Sequence, residues 1–115
     1  MQPIRQAKIN DELRRVLAQA LRSLKDPRVS SLVSLTEVQV SGDLDQARCY
    51  VSIPGSAEEK ERCLQALKKA QGYLRTEISQ GMRIRTVPQL IFVLDDSLER
   101  GLRIDQLIDE AMGRS

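Results

Sequence analysis

The chain has 115 residues, the length of one ordinary domain, and its 41% of hydrophobic residues can form a buried core. The net charge is +2, which is not strongly basic. Only 3% of the residues are aromatic, which argues against a protein that binds single strands by stacking their bases on many exposed rings. The absence of histidine excludes Ser-His and Cys-His nucleophile pairs and most zinc sites. No apolar run is long enough for a signal sequence or a membrane span, so we expect a cytoplasmic protein without a membrane partner.

The first segment is predicted to be a helix, because its apolar residues recur at the i, i+3, i+4, i+7 spacing of one stripe. The helix begins either near Pro3 or at a cap formed by Asn10 or Asp11. It must end at the Asp26-Pro27 pair, because a residue before proline avoids the α conformation. The stripe comprises Ile9, Leu13, Val16, Leu17, Ala20, Leu21 and Leu24.

A β-hairpin with one buried face is predicted next. Residues 32–41 are rich in β-branched and aliphatic side chains, with Thr36, Val38 and Val40 on one face. Residues 47–53 alternate, and their inward set is Ala47, Cys49, Val51 and Ile53. Residues 41–45, Ser-Gly-Asp-Leu-Asp, have the composition of a turn between the two strands.

The two cysteines, Cys49 and Cys63, lie far apart and lack the C-x-x-C spacing of metal and redox motifs. We predict two buried, reduced thiols, with a disulfide or a redox pair as the alternative.

A second helix is predicted to begin after Pro54-Gly55, because Ser56 and Glu59 have the spacing of a capping box. Gly81 is the predicted C-cap. The apolar stripe of this helix comprises Cys63, Leu67, Ala70, Leu74 and Ile78.

Gly72 interrupts this stripe, and a glycine inside a helix costs about 1 kcal/mol relative to alanine. Either close packing, a tolerated defect or a deliberate kink would account for it, and the residues alone do not decide among them.

The last strand is predicted at residues 88–94, where a run that is apolar on both faces favours a strand that is central or covered on both sides. Asp95-Asp96-Ser97 then form a strand end and a helix cap. A short C-terminal helix, delayed by Gly101, is predicted from the spacing of Ile104, Leu107, Ile108 and Met112.

The element order is therefore α-β-β-α-β-α, which we interpret as one α+β domain spanning residues 1–115. The helix between the second and third strands predicts that these two run parallel, whereas the hairpin pairs the first two antiparallel. This arrangement gives a three-stranded mixed sheet with helices packed on one face.

Catalytic and metal-binding motifs are absent from the sequence, including a P-loop and the HExxH and GxSxG patterns. The acidic pairs Asp95-Asp96 and Asp43/Asp45 could hold Mg²⁺ in principle, but turn and cap roles explain them better. We expect no metal, no cofactor and no enzymatic activity.

Basic residues form two groups. Arg5, Lys8, Arg15 and Arg22 lie beside the stripe of the first helix, where Glu12 and Gln19 dilute them and an ordinary solvated surface is the favoured interpretation. The second group surrounds the interruption at residues 70–72, where a break would create a new, anion-attracting helix N-terminus. Phosphate contact is at least as well supported there as a solvated surface, and this group comprises Lys68, Lys69, Arg75, Arg83 and Arg85.

Several stretches, in this order over nearly the whole chain, resemble the ribosome-binding factor A family of bacterial small-subunit assembly factors. They are Asp26-Pro27-Arg28, Thr36-Glu37-Val38, Ser41-Gly42-Asp43-Leu44, the strand from Ala47 to Ser52, Ala70-Gln71-Gly72-Tyr73-Leu74-Arg75, the run from Arg83 to Leu90, and Asp95-Asp96-Ser97.

The resemblance implies a type II KH-like fold in which an Ala-x-Gly helix kink, here Ala70-Gln71-Gly72, replaces the GxxG loop of ordinary KH domains. It also implies binding to the immature small ribosomal subunit, help in maturing its ribosomal RNA, and a role in growth in the cold. We expect the protein to be a monomer when unbound. The basic residues named above are then the predicted RNA-binding residues.

A second hypothesis belongs to another class of function. The modest net charge would also suit a protein-interaction adaptor that docks a partner on its sheet face or hairpin edge.

Overall fold

Three helices and three strands follow one another in the predicted order in the computed structural model, which describes residues 4–29 and 32–95. The elements are α1 (Ile4–Ser23), β1 (Ser34–Val40), β2 (Gln46–Ser52), α2 (Ala57–Lys69), α3 (Gln71–Gly81) and β3 (Gln89–Leu94). The predicted C-terminal helix, with the Asp96-Ser97 part of its cap, lies outside the described residues. Because α1 already includes Ile4, its longer alternative is confirmed, and Asn10 and Asp11 lie inside the helix rather than at its cap.

The sheet has the order β1-β2-β3, with β1 and β2 antiparallel and β2 and β3 parallel, as predicted. Its buried face consists of alternate residues of each strand, which join the apolar stripes of the helices in one core. The sequence left two alternatives for β3, and the central position is wrong, because the α2–α3 crossover places the strand at the edge. Its outward residues Ile91 and Val93 are half-buried, so the second face is partly covered, which is closer to the other alternative. The strand residues of the core are Val38, Val40, Ala47, Cys49, Val51, Leu90 and Phe92.

Strand β1 contains a bulge that the alternation pattern did not predict. The register shifts between Leu35 and Glu37, so that Thr36 is left out of the ladder and is exposed instead of sharing the buried face of Val38. The Thr36 hydroxyl lies 3.2 Å from the Tyr50 carbonyl oxygen and 2.5 Å from an Asp95 carboxylate oxygen. Thr36 therefore links the hairpin to the end of β3.

The hairpin turn and the start of α2 have the predicted local chemistry. Asp43 accepts hydrogen bonds from the Ser41 hydroxyl at 2.7 Å and from the Asp45 N–H at 3.1 Å, and these bonds lower the pKa of Asp43. The capping box is confirmed, because Ser56 and Glu59 each accept from the other's backbone N–H at 3.2 Å. The acidic turn thus has a structural role, and in residues 4–29 and 32–95 no three acidic, cysteine or histidine side chains form a metal-binding group.

Gly81 is not the C-cap that the sequence predicted. It is the last residue of α3 and lacks the left-handed backbone of a glycine cap, while Met82 follows in an extended conformation. A Cβ atom on Gly81 would lie 2.7 Å from Val16 Cγ1. Gly81 is therefore required because α1 and α3 approach each other closely at this point.

Both cysteines are buried and no disulfide joins them, which confirms the interpretation as two reduced thiols. Burial raises the pKa of the Cys49 thiol to about 12, so almost no reactive thiolate exists near neutral pH. We expect a chromogenic thiol reagent to label Cys49 in the native protein only at the rate at which the domain opens, and rapidly in denaturant. Fast native labelling of Cys49, located by mass spectrometry, would contradict this burial.

Candidate nucleic-acid interface

The interruption between α2 and α3 occurs at a single residue, Ala70. Its N–H contacts the carbonyl oxygens of Ala66 at 3.0 Å and Leu67 at 3.2 Å, while its own carbonyl accepts from Leu74 N at 2.9 Å and so begins α3. The chain therefore changes from one helix to the next without a connecting loop. The prediction of a kink at residues 70–72 is confirmed, with Ala70 as the point of interruption.

Gly72 lies just after this point, inside the first turn of α3. Apart from the neighbouring backbone of its own helix, no atom of the described residues lies within 4 Å of the place where its Cβ would be, and its φ angle is not positive. Close packing, one of the alternatives that the sequence left open, is therefore wrong for the described part of the chain. Neither sterics nor backbone conformation within the described residues requires a glycine here.

The Gln71 side chain fixes the start of α3 to the outer edge of β3. Its Nε2 donates to the Leu90 carbonyl oxygen at 2.9 Å, and its Oε1 accepts from the Leu90 N–H at 2.7 Å. The amide thus pairs with Leu90 as a neighbouring strand would. The sequence showed Gln71 only as the middle residue of Ala-x-Gly, because helical periodicity does not reveal which strand edge a side chain will reach.

The opposite edge of the sheet is bonded in the same way by α1. The Val40 N–H donates to Asn10 Oδ1 at 2.9 Å, and Gln6 Nε2 donates to the Val40 carbonyl oxygen. Asn10 is buried, and the apolar stripe predicted for α1 gave no indication of this role. Amide side chains from helices thus satisfy backbone groups at both edges of the sheet, which leaves less of each edge open to an added strand.

The structure brings only part of the predicted basic surface close to the kink. Lys68 and Lys69 occupy the last turn of α2 and are exposed. Arg83 and Arg85 are exposed in the segment between α3 and β3. All four remain predicted RNA contacts that solvent can reach.

Arg75 is positioned differently. It is half-buried, and its Nη2 donates to the Val87 carbonyl oxygen at 2.8 Å. Its Nε is the one buried side-chain nitrogen or oxygen among the described residues for which no hydrogen bond is found. Arg75 therefore fastens the 82–88 segment to α3, and a phosphate contact from its remaining donors stays a prediction.

The basic residues of α1 are all exposed but do not converge. Arg22 lies in the last turn of α1, next to Ser23, whose hydroxyl contacts Tyr73 of α3. Arg5 lies 17 positions earlier, roughly 26 Å away along the helix axis at 1.5 Å per residue. Arg22 thus lies at the end of α1 that contacts α3, although it lines the groove towards β1. Arg5 and Lys8 lie at the far end of α1, and Arg15 lies between Lys8 and Arg22.

The turn after α1 contains an ion pair between Arg28 and Asp26. Arg28 donates to Asp26 through Nη2 at 2.7 Å, Nε at 3.1 Å and its backbone N–H at 2.9 Å. These hydrogen bonds, with a smaller contribution from the charge of nearby Lys69, lower the pKa of Asp26 to about 2. The turn therefore lies beside the end of α2, and its carboxylate is already paired with a cation.

A groove of about 580 Å³ lies between the end of α1 and the start of β1, and among the described residues Arg22 is the only charged one that lines it. The described lining includes the Ser34 hydroxyl but no carboxylate or cysteine that could act beside it as an acid, a base or a second nucleophile. In the part of the chain that the structure describes, no helix is long and apolar enough to span a membrane.

Comparison with known proteins decides the family. The family model described as "Ribosome-binding factor A" matches residues 5–108. This chain belongs to the ribosome-binding factor A family. It is 47% identical over 104 residues to ribosome-binding factor A of Dictyoglomus thermophilum, covering 90% of this chain and 84% of the relative. It is 43% identical over 109 residues to that of Acetivibrio thermocellus, covering 94% and 89%.

Solved structures of the family share the fold. A crystal structure of ribosome-binding factor A from Thermus thermophilus aligns with a TM-score of 0.70 and 29% identity, covering 77% of this chain and 93% of the other. A solution structure of a putative ribosome binding factor A from Thermotoga maritima gives 0.72 and 34%, covering 81% and 90%. The predicted α+β, KH-like class is thereby confirmed.

A third structural neighbour is a homology model of Thermus thermophilus ribosome-binding factor A that was fitted into a cryo-electron microscopy map of the complex of that factor with 30S. It aligns with a TM-score of 0.64 and 27% identity, covering 84% of this chain and 97% of that model.

Proposed function

We propose that this protein binds the immature small ribosomal subunit and assists maturation of its ribosomal RNA, without a catalytic step or a cofactor. The observation that carries the proposal is family membership over residues 5–108, together with a structural neighbour fitted into a 30S complex. The proposal includes a cytoplasmic, monomeric protein whose loss slows growth most in the cold.

The described surface supports RNA as the molecule that is contacted. Lys68 and Lys69 are exposed just before the start of α3, and Arg83 and Arg85 are exposed just after its end. Lysine and arginine side chains that neutralise phosphates release counterions, so affinity falls as salt concentration rises. This reasoning assigns backbone contacts to the basic residues and no base readout.

The proposal predicts a specific salt dependence. A plot of log affinity against log salt concentration has a negative slope, and each phosphate contact that is lost should reduce the magnitude of this slope by about 1. The Lys68→Glu/Lys69→Glu variant is therefore expected to bind immature small-subunit particles at least about tenfold more weakly and with a slope smaller by about 2. Affinity would be measured by sedimentation or fluorescence anisotropy between about 50 and 200 mM salt.

The control is Arg48→Glu, which reverses one exposed charge on the face of β2 opposite the buried side chains of Ala47 and Cys49. We expect its affinity and salt slope to stay close to those of the unmodified protein. A loss of binding in Arg48→Glu but not in the lysine variant, with binding that survives nuclease treatment, would favour the adaptor hypothesis and contradict ours.

A further inference from the structure

Tyr73, the third residue of α3, is an aromatic side chain with an unusual position. It is 41% exposed, and Leu32 is the other large hydrophobic residue exposed in the described part of the chain. A single exposed hydrophobic residue is ordinary and by itself indicates nothing. Tyr73 differs because it is held in place while it is exposed.

The Tyr73 hydroxyl lies 2.8 Å from Ser23 Oγ at the end of α1. Ser23 Oγ also lies 2.9 Å from the Ala20 carbonyl oxygen, which can only accept a hydrogen. Because a serine hydroxyl has one hydrogen, Ser23 donates to Ala20 and Tyr73 donates to Ser23. The ring is thus fixed at both ends, by the α3 backbone and by α1.

The surroundings of this ring carry charges of both signs. Lys69 lies four positions before Tyr73 in the last turn of α2, and its charge acts on Asp26, whose carboxylate is already paired with Arg28. Glu77 lies four positions after Tyr73 and lines a groove together with Ser23. Lys69 is therefore a cation next to the ring on the side of the kink.

We propose that the Tyr73 ring stacks on one unpaired base of the bound RNA, while Lys69 contacts a flanking phosphate. This inference rests on the proposed function and adds the kind of nucleotide that the kink recognises. Unpaired RNA bases stack on aromatic side chains, and a ring whose conformation is already fixed loses little entropy on binding. A single platform also fits a chain with only 3% of aromatic residues, which is too few for a row of stacked bases.

The test compares how affinity and salt slope change in variants bound to immature small-subunit particles. Tyr73→Leu keeps an apolar side chain but loses the aromatic face, and we expect about tenfold weaker binding with an unchanged salt slope, because no charge is lost. Tyr73→Phe keeps the ring and is expected to bind within about threefold of the unmodified protein. Full binding by Tyr73→Leu would overturn the inference, and so would an equal loss in both variants.

A second measurement uses the unmodified protein and does not depend on how the variants fold. Ultraviolet crosslinking on the same particles, followed by mass spectrometry, is expected to find a nucleotide attached to Tyr73. Nucleotide adducts found only at other residues would contradict stacking. A crosslink from Tyr73 to a protein of the particle would also contradict it, because Tyr73 would then contact a protein and not an RNA base. If the unmodified protein does not bind the particles at all, the proposed function fails as well, so the two failures are distinguishable.

Discussion

Replacing Gln71 with methionine is expected to lower the free energy of unfolding by about 2 kcal/mol or more. Methionine has a similar length and helix propensity, but it cannot bond to the Leu90 N–H and carbonyl groups that Gln71 now pairs at 2.7 and 2.9 Å. These contacts are partly buried, so each backbone group left without a partner carries a desolvation cost. Urea denaturation followed by circular dichroism measures the effect.

The control is Gln65→Met on α2. Gln65 is exposed, and its Nε2 donates to the side chain of Glu61 at 3.0 Å, one helical turn away. We expect a change within about 0.5 kcal/mol, since exposed helical pairs contribute little. Equal stabilities of the Gln71 and Gln65 variants would show that the amide pairing with β3 does not hold α3 in place.

The same Gln71 contact is expected to influence the kink. It fixes the first residue of α3 to β3, while α2 ends at Lys69 with Ala70 between them. Without this contact, α3 is still held by apolar packing such as that of Leu74 and by the hydrogen bonds of Tyr73 and Arg75, but its first residue loses its bonds to β3. The methionine variant should therefore show faster hydrogen exchange around residues 70–74 than the Gln65 control.

Features set by neighbouring residues were predictable from the sequence. The alternation from Ala47 to Ile53 predicted the buried face of β2, and the Ser56–Glu59 spacing predicted the capping box. Both follow from periodicity or from contacts three residues apart, which the chain order displays directly. The parallel pairing of β2 with β3 likewise followed from the helix that connects them.

Features set by the approach of distant segments were not predictable. The bulge at Thr36, the pairing of Gln71 with Leu90 and the buried Asn10 all depend on which backbone group lies opposite in the folded chain. A sequence pattern identifies a polar residue but does not identify its partner 19 or 30 positions away.

The same limit applies to the candidate site. Sequence spacing placed Lys68, Lys69 and Arg75 together beside a helix break, and the structure confirms the break. The sequence spacing could not show that Arg75 bonds to Val87 of its own chain while the two lysines remain exposed. Nor could it show that the exposed ring of Tyr73 is held by Ser23.

Gly81 and Gly72 lie in the same helix, and substitution by alanine is expected to have opposite effects at the two positions. Alanine favours a helix over glycine by about 1 kcal/mol, so Gly72→Ala, which meets no atom within 4 Å, should stabilise the domain by about 0.5–1 kcal/mol. At Gly81 the new Cβ would lie 2.7 Å from Val16 Cγ1. Valine has one strongly preferred rotamer in a helix and cannot easily move aside, so Gly81→Ala should destabilise the domain by about 1–3 kcal/mol.

A double-mutant cycle tests whether the contact with Val16 is the cause. In a Val16→Ala background the obstructing methyl groups are gone, so Gly81→Ala should become neutral or stabilising, with a coupling of at least about 1 kcal/mol measured by urea denaturation. Gly72→Ala should have the same effect in both backgrounds, because its Cβ meets no atom of Val16. If Gly81→Ala stabilised the unmodified protein as Gly72→Ala does, the distance between α1 and α3 in solution would have to be larger than in the structure. The close approach of Gly81 to Val16 would then be contradicted.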